Sequence, residues 1–224
     1  FNTNTPLGSD TVTDSAGTDY LYFVGSTNGA TVNLGLTTPQ VVNGNLTLTL
    51  ASATSIENIY GGSGNDILIG NSLNNALYGY DGDDVLSGGN GNDTLNGGGG
   101  KNILIGGNGA DSLTGGSSED LLLGAWYSLE NSTTALAALF AEWTSGSVYA
   151  DRVDHLLGVL AGGANGGFTL TSITVKEDDA ADTLTGGSGK DWYLRNSLGA
   201  ILANRDTTTD TDIDSLFTEI DTWL

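Results

Sequence analysis

The chain lacks most of the residue types that cross-link small domains or carry metal and redox chemistry. It has no cysteine, no methionine, a single histidine and only two prolines among 224 residues. Without cysteine no disulfide can form, and one histidine alone cannot complete the usual zinc ligand sets. No apolar run is long enough to span a bilayer, so we expect no membrane insertion.

Positive charge is scarce as well. Six lysines and arginines stand against 27 aspartates and glutamates, which gives a formal charge of −21. This balance argues against nucleic acid and anionic membrane surfaces as partners, and bound cations are expected to neutralise much of it. Phe1 stands in mid-pattern without an initiator methionine, so we expect a fragment or a processed product.

Glycine, in contrast, is abundant, and much of it belongs to seven consecutive nine-residue blocks over 61–123. Each block opens with glycine, has Asp or Asn at position six and has leucine at position eight. Glycine allows positive φ, so the first six residues suit a turn, whereas the last three suit a short strand. One such strand cannot bury its leucine alone, but stacked strands can. Two blocks make one coil, so the spacing predicts two parallel sheets whose leucines meet inside.

The acidic residues of the turns fall on two edges of this predicted coil. Successive turns on one edge are eighteen residues apart in sequence and about 4.8 Å apart in space. One edge carries Asp66, Asp84, Asn102 and Asp120, and the other carries Glu57, Asn75, Asp93 and Asp111. Carboxylates stacked this closely repel one another unless a cation lies between them. Carboxylate and carbonyl oxygens together suit Ca²⁺ better than Mg²⁺. Sites that involve Asn75 or Asn102 lose a negative charge and are expected to be weaker or empty.

These blocks resemble the RTX, or hemolysin-type, calcium-binding repeat. The resemblance implies a mainly β fold, a right-handed parallel β-roll (a two-sheet solenoid), that binds several Ca²⁺ ions. In that family each ion takes position-six aspartates from two stacked turns and carbonyl oxygens from early turn residues. Carried over to this chain, the strongest sites are Asp66–Asp84 and Asp93–Asp111, and Asp120 is a further ligand. The implied sites also include the turn residues Gly61, Ser63, Gly79, Asp81, Gly88, Asn90, Gly106 and Asn108.

Four blocks outside this run keep much of the pattern: 5–13, 14–22, 177–185 and 186–194. They add four predicted calcium ligands, which are Asp10, Asp19, Asp182 and Asp191. The outward residues of the last two blocks are polar in the first and apolar in the second. On this ground we expect Asp182 to stack on Asp111, and Asp191 to stack on Asp120.

The two outer faces of the predicted roll differ in polarity. One sheet exposes apolar residues such as Ile103, and the other exposes mostly polar residues such as Thr94. An apolar face of that size needs a cover. Residues 124–176 contain two stretches with helical spacing, 133–143 and 148–160, and we expect this helical insertion to pack on the apolar sheet. The competing interpretation is that the face binds another subunit.

The chain is thereby divided into four expected regions: degenerate roll coils and longer strands over 1–60, the clean roll over 61–123, the helical excursion over 124–176, and resumed roll coils with a C-terminal cap over 177–224. Within these regions, 168–175 is predicted to form a strand. Residues 211–224 are predicted to form a short acidic amphipathic helix, because their apolar residues recur at helical spacing.

Enzyme chemistry finds little support in the sequence, and we expect no enzyme. His155 lies on a predicted helix and is expected to have a structural role. No GxSxG nucleophile pattern stands between a strand and a helix. The glycine-rich turns lead into short strands, whereas a phosphate site would need a helix there.

The leading functional hypothesis is a calcium-folded, secreted structural or adhesive module at the cell surface. Its partners would be copies of itself or other cell-surface components, as in a surface layer, filament or adhesin. The resemblance implies type I secretion of the unfolded chain, an acidic C-terminal export signal, and folding in extracellular Ca²⁺. The alternative is the C-terminal export and folding domain of a secreted protease or lipase. A third hypothesis is an adhesin tip that binds a ligand through the helical excursion.

Overall fold

The computed structural model of the chain describes residues 1–14, 16–171, 175–176, 178, 180–195, 207–208 and 217–219. In these ranges two seven-stranded sheets contain only parallel neighbours, which confirms the mainly β, parallel β-roll prediction. The first, called here the open sheet, consists of β2 (Tyr20–Tyr22), β6 (Asn58–Tyr60), β8 (Ala76–Tyr80), β10 (Thr94–Gly98), β12 (Ser112–Ser117), β16 (Thr183–Ser188) and β18 (Thr207–Thr208). The second, called the capped sheet, consists of β3 (Thr31–Asn33), β7 (Ile67–Ile69), β9 (Val85–Asn90), β11 (Ile103–Asn108), β13 (Leu121–Leu123), β17 (Trp192–Arg195) and β19 (Phe217–Glu219).

The core between the two sheets is a double column of leucines from position eight of the repeat. Parallel pairing aligns Leu77 with Leu95 and Leu95 with Leu113 in the open sheet. All seven position-eight leucines have no exposed surface: Leu68, Leu77, Leu86, Leu95, Leu104, Leu113 and Leu122. Burial of a leucine side chain contributes about 1.5–3 kcal/mol, so the column is the main apolar support of the roll.

The N-terminal region is only partly a roll. Strands β2 and β3 join the open and capped sheets through β6 and β7, as a roll coil would. In contrast, β1 (Gly8–Val12), β5 (Leu46–Leu50) and β4 (Gln40–Asn43) form a separate three-stranded sheet in which β4 runs antiparallel to β5. The alternating segment Leu46–Leu50 buries its three leucines and offers β1 a parallel edge, so 8–12 pairs there as a strand.

That pairing corrects one site prediction. Asp10 lies in the middle of β1, opposite Leu48, and does not stand at position six of a stacked turn. The prediction of Asp10 as a ligand within the ladder of roll turns is therefore wrong. Asp19 differs, because it precedes β2 and its backbone N–H donates to the Glu57 carboxylate at 2.8 Å, as stacked turns do elsewhere in the roll.

Two helices cover the capped sheet. Helix α1 (Thr133–Trp143) is capped at its N-terminus by Ser132, whose side chain accepts a hydrogen bond from the Ala135 N–H, and α2 (Tyr149–Leu156) follows. Their inward residues form a second core with the outer side of the capped sheet: Leu136, Leu139, Trp143, Val153 and Leu156 against Ile69, Val85, Ile103, Ile105, Leu121, Leu123, Trp192 and Leu194. The predicted intramolecular cover is thus confirmed.

The roll resumes after the helices. Strand β16 pairs with β12, and β17 pairs with β13, so the chain returns to both sheets after the excursion. The predicted strand over 168–175 is wrong for Phe168–Thr171, which has no strand pairing. Val175 begins the short strand β15 (Val175–Lys176), antiparallel to β14 (Trp126–Tyr127), and 172–174 lie outside the described residues.

The C-terminal helix prediction also needs correction, because 217–219 is the strand β19 paired with β17. The rest of the predicted helix, at 211–216 and 220–224, lies outside the described residues. No helix in the described part of the chain is long and apolar enough to cross a membrane.

Candidate metal centre

The position-six side chains form a hydrogen-bonded ladder along each edge of the roll. One carboxylate oxygen of Asp84 accepts the backbone N–H of Asp66 at 2.8 Å, eighteen residues earlier. The same bond joins Asp93 to Asp111 at 2.7 Å. It recurs for Asn75 to Asp93, Asp84 to Asn102, Asn102 to Asp120, Asp111 to Asp182 and Asp120 to Asp191. The predicted stacking of Asp182 on Asp111 and of Asp191 on Asp120 is therefore confirmed.

Each position-six side chain is a rung of this ladder. At most of the aspartate rungs the second carboxylate oxygen is buried without a hydrogen-bond donor. This holds for Oδ2 of Asp84, Asp93, Asp111 and Asp120. A buried, unpaired carboxylate oxygen costs free energy unless a cation or a donor satisfies it. Asp66 differs, because its two oxygens accept the N–H groups of Ala30 and Gly62 at 2.6 and 2.9 Å.

The opening glycine of each turn leaves room beside these oxygens. A Cβ built on Gly79 would collide with Asp84 Oδ2 and lie 2.7 Å from the carbonyl oxygen of Gly97 in the next turn. A Cβ on Gly88 would likewise collide with Asp93 Oδ2 and lie 2.6 Å from the Gly106 carbonyl oxygen. A carboxylate oxygen and a carbonyl of the following turn thus converge on one small space, where two acceptors repel each other unless a cation joins them.

The donor set fits Ca²⁺. All converging atoms are oxygens, and Ca²⁺ takes six to eight oxygen ligands in flexible geometry. Within the described ranges no three His, Cys, Asp or Glu side chains come together. That arrangement suits a site in which each turn supplies one carboxylate and the backbone supplies further oxygens. Turns of this kind open with Gly61, Gly79, Gly88 and Gly106. The role of these glycines as ligands stays a prediction, and so does that of Ser63, Asp81, Asn90 and Asn108.

Burial raises the pKa of five ladder aspartates. The pKa rises to about 6 at Asp66, about 7 at Asp93, about 8 at Asp84 and Asp111, and about 9 at Asp120. Desolvation is the largest cause, and hydrogen bonds from backbone N–H groups oppose it. The ionised form needed for Ca²⁺ binding is thus unfavourable in the metal-free roll.

These shifts predict an inverted pH dependence in the absence of metal. Because the folded-state pKa values lie above the unfolded value, their stabilising contribution is complete below about pH 4 and disappears as the pH rises through about 6 to 9. In excess chelator we expect more β signal in circular dichroism near pH 5 than near pH 8. With saturating Ca²⁺ the order should reverse, since protons and Ca²⁺ compete for the same oxygens. An equal or larger β signal at the higher pH in chelator would contradict this expectation.

Two pairs of polar side chains that involve the helical excursion are not predicted by the sequence. The Glu142 carboxylate is buried and lies 2.7 Å from Nδ1 of His155, so the only histidine links α1 to α2. The Arg152 guanidinium is buried as well and lies 2.5 Å from the Glu119 carboxylate, in a turn of the roll. Sequence spacing carries no signal for either pair, because each joins segments that are distant along the chain.

The outer face of the open sheet, which is predicted to be mostly polar, carries a row of tyrosines. Stacked ring pairs join Tyr22 to Tyr60 and Tyr60 to Tyr78, with centroids 4.6 and 4.7 Å apart. Tyr20 and Tyr80 flank them. Tyr20, Tyr22 and Tyr80 are 45–49% exposed, so the row lies at the surface.

Comparison with known proteins identifies the repeated part of the chain. Residues 60–95, 69–104, 96–126 and 178–194 match the RTX calcium-binding nonapeptide repeat. The metalloprotease AprA of Pseudomonas entomophila is 43% identical over 67 residues, which is 30% of this chain. The chain covers 14% of the length of that relative.

Proposed function

Since the chain is built on RTX calcium-binding nonapeptide repeats, which bind several Ca²⁺ ions, we propose that it is a calcium-folded structural or adhesive module of a larger secreted protein. The observation that carries this proposal is the row of buried Oδ2 atoms without donors, of which those of Asp84, Asp93 and Asp120 face a backbone carbonyl of the next turn. In this proposal the ions lie between stacked turns. Their side-chain ligands are Asp66, Asp84, Asp93, Asp111, Asp120, Asp182 and Asp191, with Asp19 at the N-terminal end of one edge.

The expected calcium dependence of these sites supports an extracellular setting. Ligands such as these are expected to be filled where Ca²⁺ is millimolar and to stay empty in a cytosol that holds little of it. A chain that is unfolded before export and folds outside suits type I secretion. We propose that the module leaves the cell in this way and acts at the cell surface or beyond.

The module itself is proposed to be non-catalytic. Its aspartates are assigned to metal binding, and His155 is paired with Glu142 inside the helical excursion. Trp143 and Trp192 are fully buried, so these two indoles belong to the core and offer no exposed binding platform.

Support for a contact role comes from the open sheet. Its outer face is free of the helical cover and presents the tyrosine row defined above, with Tyr22 the most exposed member at 49%. Tyrosine combines an apolar ring with a polar hydroxyl and is enriched at protein interfaces. Copies of the module or other cell-surface components are the proposed partners of this face.

Assembly is tested by particle size as a function of Ca²⁺. We expect size-exclusion chromatography with light scattering to show growth beyond the monomer mass in millimolar Ca²⁺ and a return to monomer in chelator. Tyr22→Ser should reduce assembly and leave the calcium-dependent β signal unchanged. Thr94→Ser, on the same outer face away from the tyrosine row, is the matched control. A protein that stays monomeric at high Ca²⁺ would remove self-assembly from the proposal.

A second candidate is the export and folding domain of a secreted hydrolase. The observation that favours it is the similarity to part of a metalloprotease. The parent sequence decides between the two, because a catalytic domain upstream of this segment would favour the hydrolase and further repeats would favour the structural protein. Hydrolysis of casein by the full-length parent provides the direct assay.

A further inference from the structure

The ladder is interrupted at Asn102 in a way that bears on where ions bind. At the two neighbouring rungs of this edge, the atom that faces the next turn is a carboxylate oxygen, of Asp84 beside the Gly97 carbonyl and of Asp120 beside the Gly186 carbonyl. At Asn102 the corresponding atom is the amide nitrogen. A Cβ on Gly97 would lie 2.5 Å from Asn102 Nδ2 and 2.6 Å from the Gly115 carbonyl oxygen.

Hydrogen bonding fixes the orientation of this amide. Asn102 Oδ1 accepts the backbone N–H of Asp84 at 2.9 Å, so the other amide atom must be the nitrogen. That nitrogen donates to the carbonyls of Gly99, Gly100 and Gly115 at 3.3–3.4 Å. It thereby provides N–H donors at a position where the neighbouring rungs present an unpaired oxygen.

Asn75, the other asparagine of the ladder, is oriented differently. Its Nδ2 donates to the Glu57 carbonyl at 2.8 Å, in the preceding turn of its edge. Its Oδ1 accepts the Asn71 N–H, and this oxygen lies beside the Gly88 carbonyl of the next turn. An oxygen therefore still faces the space after Asn75, whereas a nitrogen faces the space after Asn102.

The stacked turns that carry Asn102 and Asp120 are called here the Asn102–Asp120 level. The charged side chains of this level balance one another without a metal ion. The Glu119 carboxylate lies 3.1 Å from Lys101 Nζ and 2.5 Å from the Arg152 guanidinium. With Asp120, this level holds two carboxylates and two cationic side chains. The level formed by Asn65, Asp66, Asp83 and Asp84 carries three carboxylates at the corresponding positions.

We propose that the space between the Asn102 and Asp120 turns binds no calcium, and that the Asn102 amide takes the place of the ion while Lys101 and Arg152 balance the charge. The proposal rests on the proposed function, in which the other levels of the roll bind Ca²⁺. It places the attachment of the helical excursion at this level, because Trp143 Nε1 also donates to the Glu119 carbonyl at 3.1 Å. The excursion is thus joined to the roll where no ion is needed.

The number of Ca²⁺ ions bound per chain tests the proposal, with native mass spectrometry at saturating Ca²⁺ as the measurement. Asn102→Asp removes the N–H donors and restores the unpaired oxygen, so we expect one ion more than in the unaltered protein. Asn102→Ala removes the amide and adds no ligand, so the number should stay unchanged. Asp84→Asn is the matched control, because it introduces the same amide on the same edge and should lose one ion.

The outcomes separate this inference from the proposed function. One ion fewer in Asn102→Ala, or an unchanged number in folded Asn102→Asp while Asp84→Asn loses one, would overturn the inference and leave the calcium-folded module intact. Absence of bound Ca²⁺ from the unaltered protein would overturn both. If Asn102→Asp does not fold, as judged by circular dichroism in Ca²⁺, Asn102→Ala alone still decides.

Discussion

Removal of Ca²⁺ near neutral pH is expected to abolish most of the β structure of this protein. In the metal-free roll the ladder aspartates are buried beside backbone carbonyls, and a formal charge of −21 opposes compaction. The chain also contains 35 glycines, whose ordering costs more conformational entropy than that of any other residue. Ca²⁺ binding removes the first two penalties, so the free energy of binding becomes free energy of folding.

Far-ultraviolet circular dichroism with a chelator titration measures this effect. The β signal should fall toward that of an unfolded chain in excess chelator and return when Ca²⁺ is restored in excess. Mg²⁺ at the same concentration should restore much less, because it demands near-ideal octahedral geometry and retains its water. A full β signal in excess chelator near pH 8 would show that folding does not depend on the metal.

The second large effect is expected from Trp143→Ala. Trp143 has no exposed surface, lies 6.4 Å from Trp192 between ring centroids, and has the Arg152 guanidinium 5.0 Å above its ring. Its Nε1 donates to the Glu119 carbonyl, and its own carbonyl accepts a bond from Arg152. Truncation of a buried tryptophan costs about 3–5 kcal/mol, and here it also removes one of the bonds between the helical excursion and the roll.

Urea unfolding at saturating Ca²⁺ measures that loss in the free energy of unfolding. Phe140→Ala, on the same helix and only partly buried, is the matched control and should lose clearly less. We also expect Trp143→Ala to bind a dye specific for apolar surface, because the capped sheet would lose part of its cover. Equal losses in the two variants would show that the excursion contributes little to the stability of the roll.

The repeat made the central fold predictable because its residues interact with their own copies. A leucine at position eight contacts a leucine eighteen residues away in a neighbouring coil, so a period read along the sequence is also a contact in space. The same argument placed Asp182 below Asp111 across a long insertion, since the polarity of the flanking residues identified the sheet. Helix α1 was predictable at 133–143 because its apolar spacing is a local signal.

Two of the wrong predictions concern segments whose local pattern has no neighbouring copy of the repeat to support it. The block around Asp10 keeps the glycine and aspartate spacing, but the free edge of Leu46–Leu50 pairs with it as a strand. The segment 217–219 has helical spacing, yet it pairs with β17 at the end of the capped sheet. In both places an available strand edge outweighed the intrinsic preference of a short segment.

The sequence by itself determined the parallel roll, its leucine core, the two edges of carboxylates and the need for a cover on one sheet, because each follows from a period and from the chemistry of the repeated residue. Only the tertiary structure decided the features that do not recur with the repeat. These are the Glu142–His155 pair, the Arg152–Glu119 pair, the exposed tyrosine row and the direction of the Asn102 amide. The amide shows the reason most clearly: an asparagine in the ladder can present oxygen or nitrogen to the next turn, and the backbone groups around it select one.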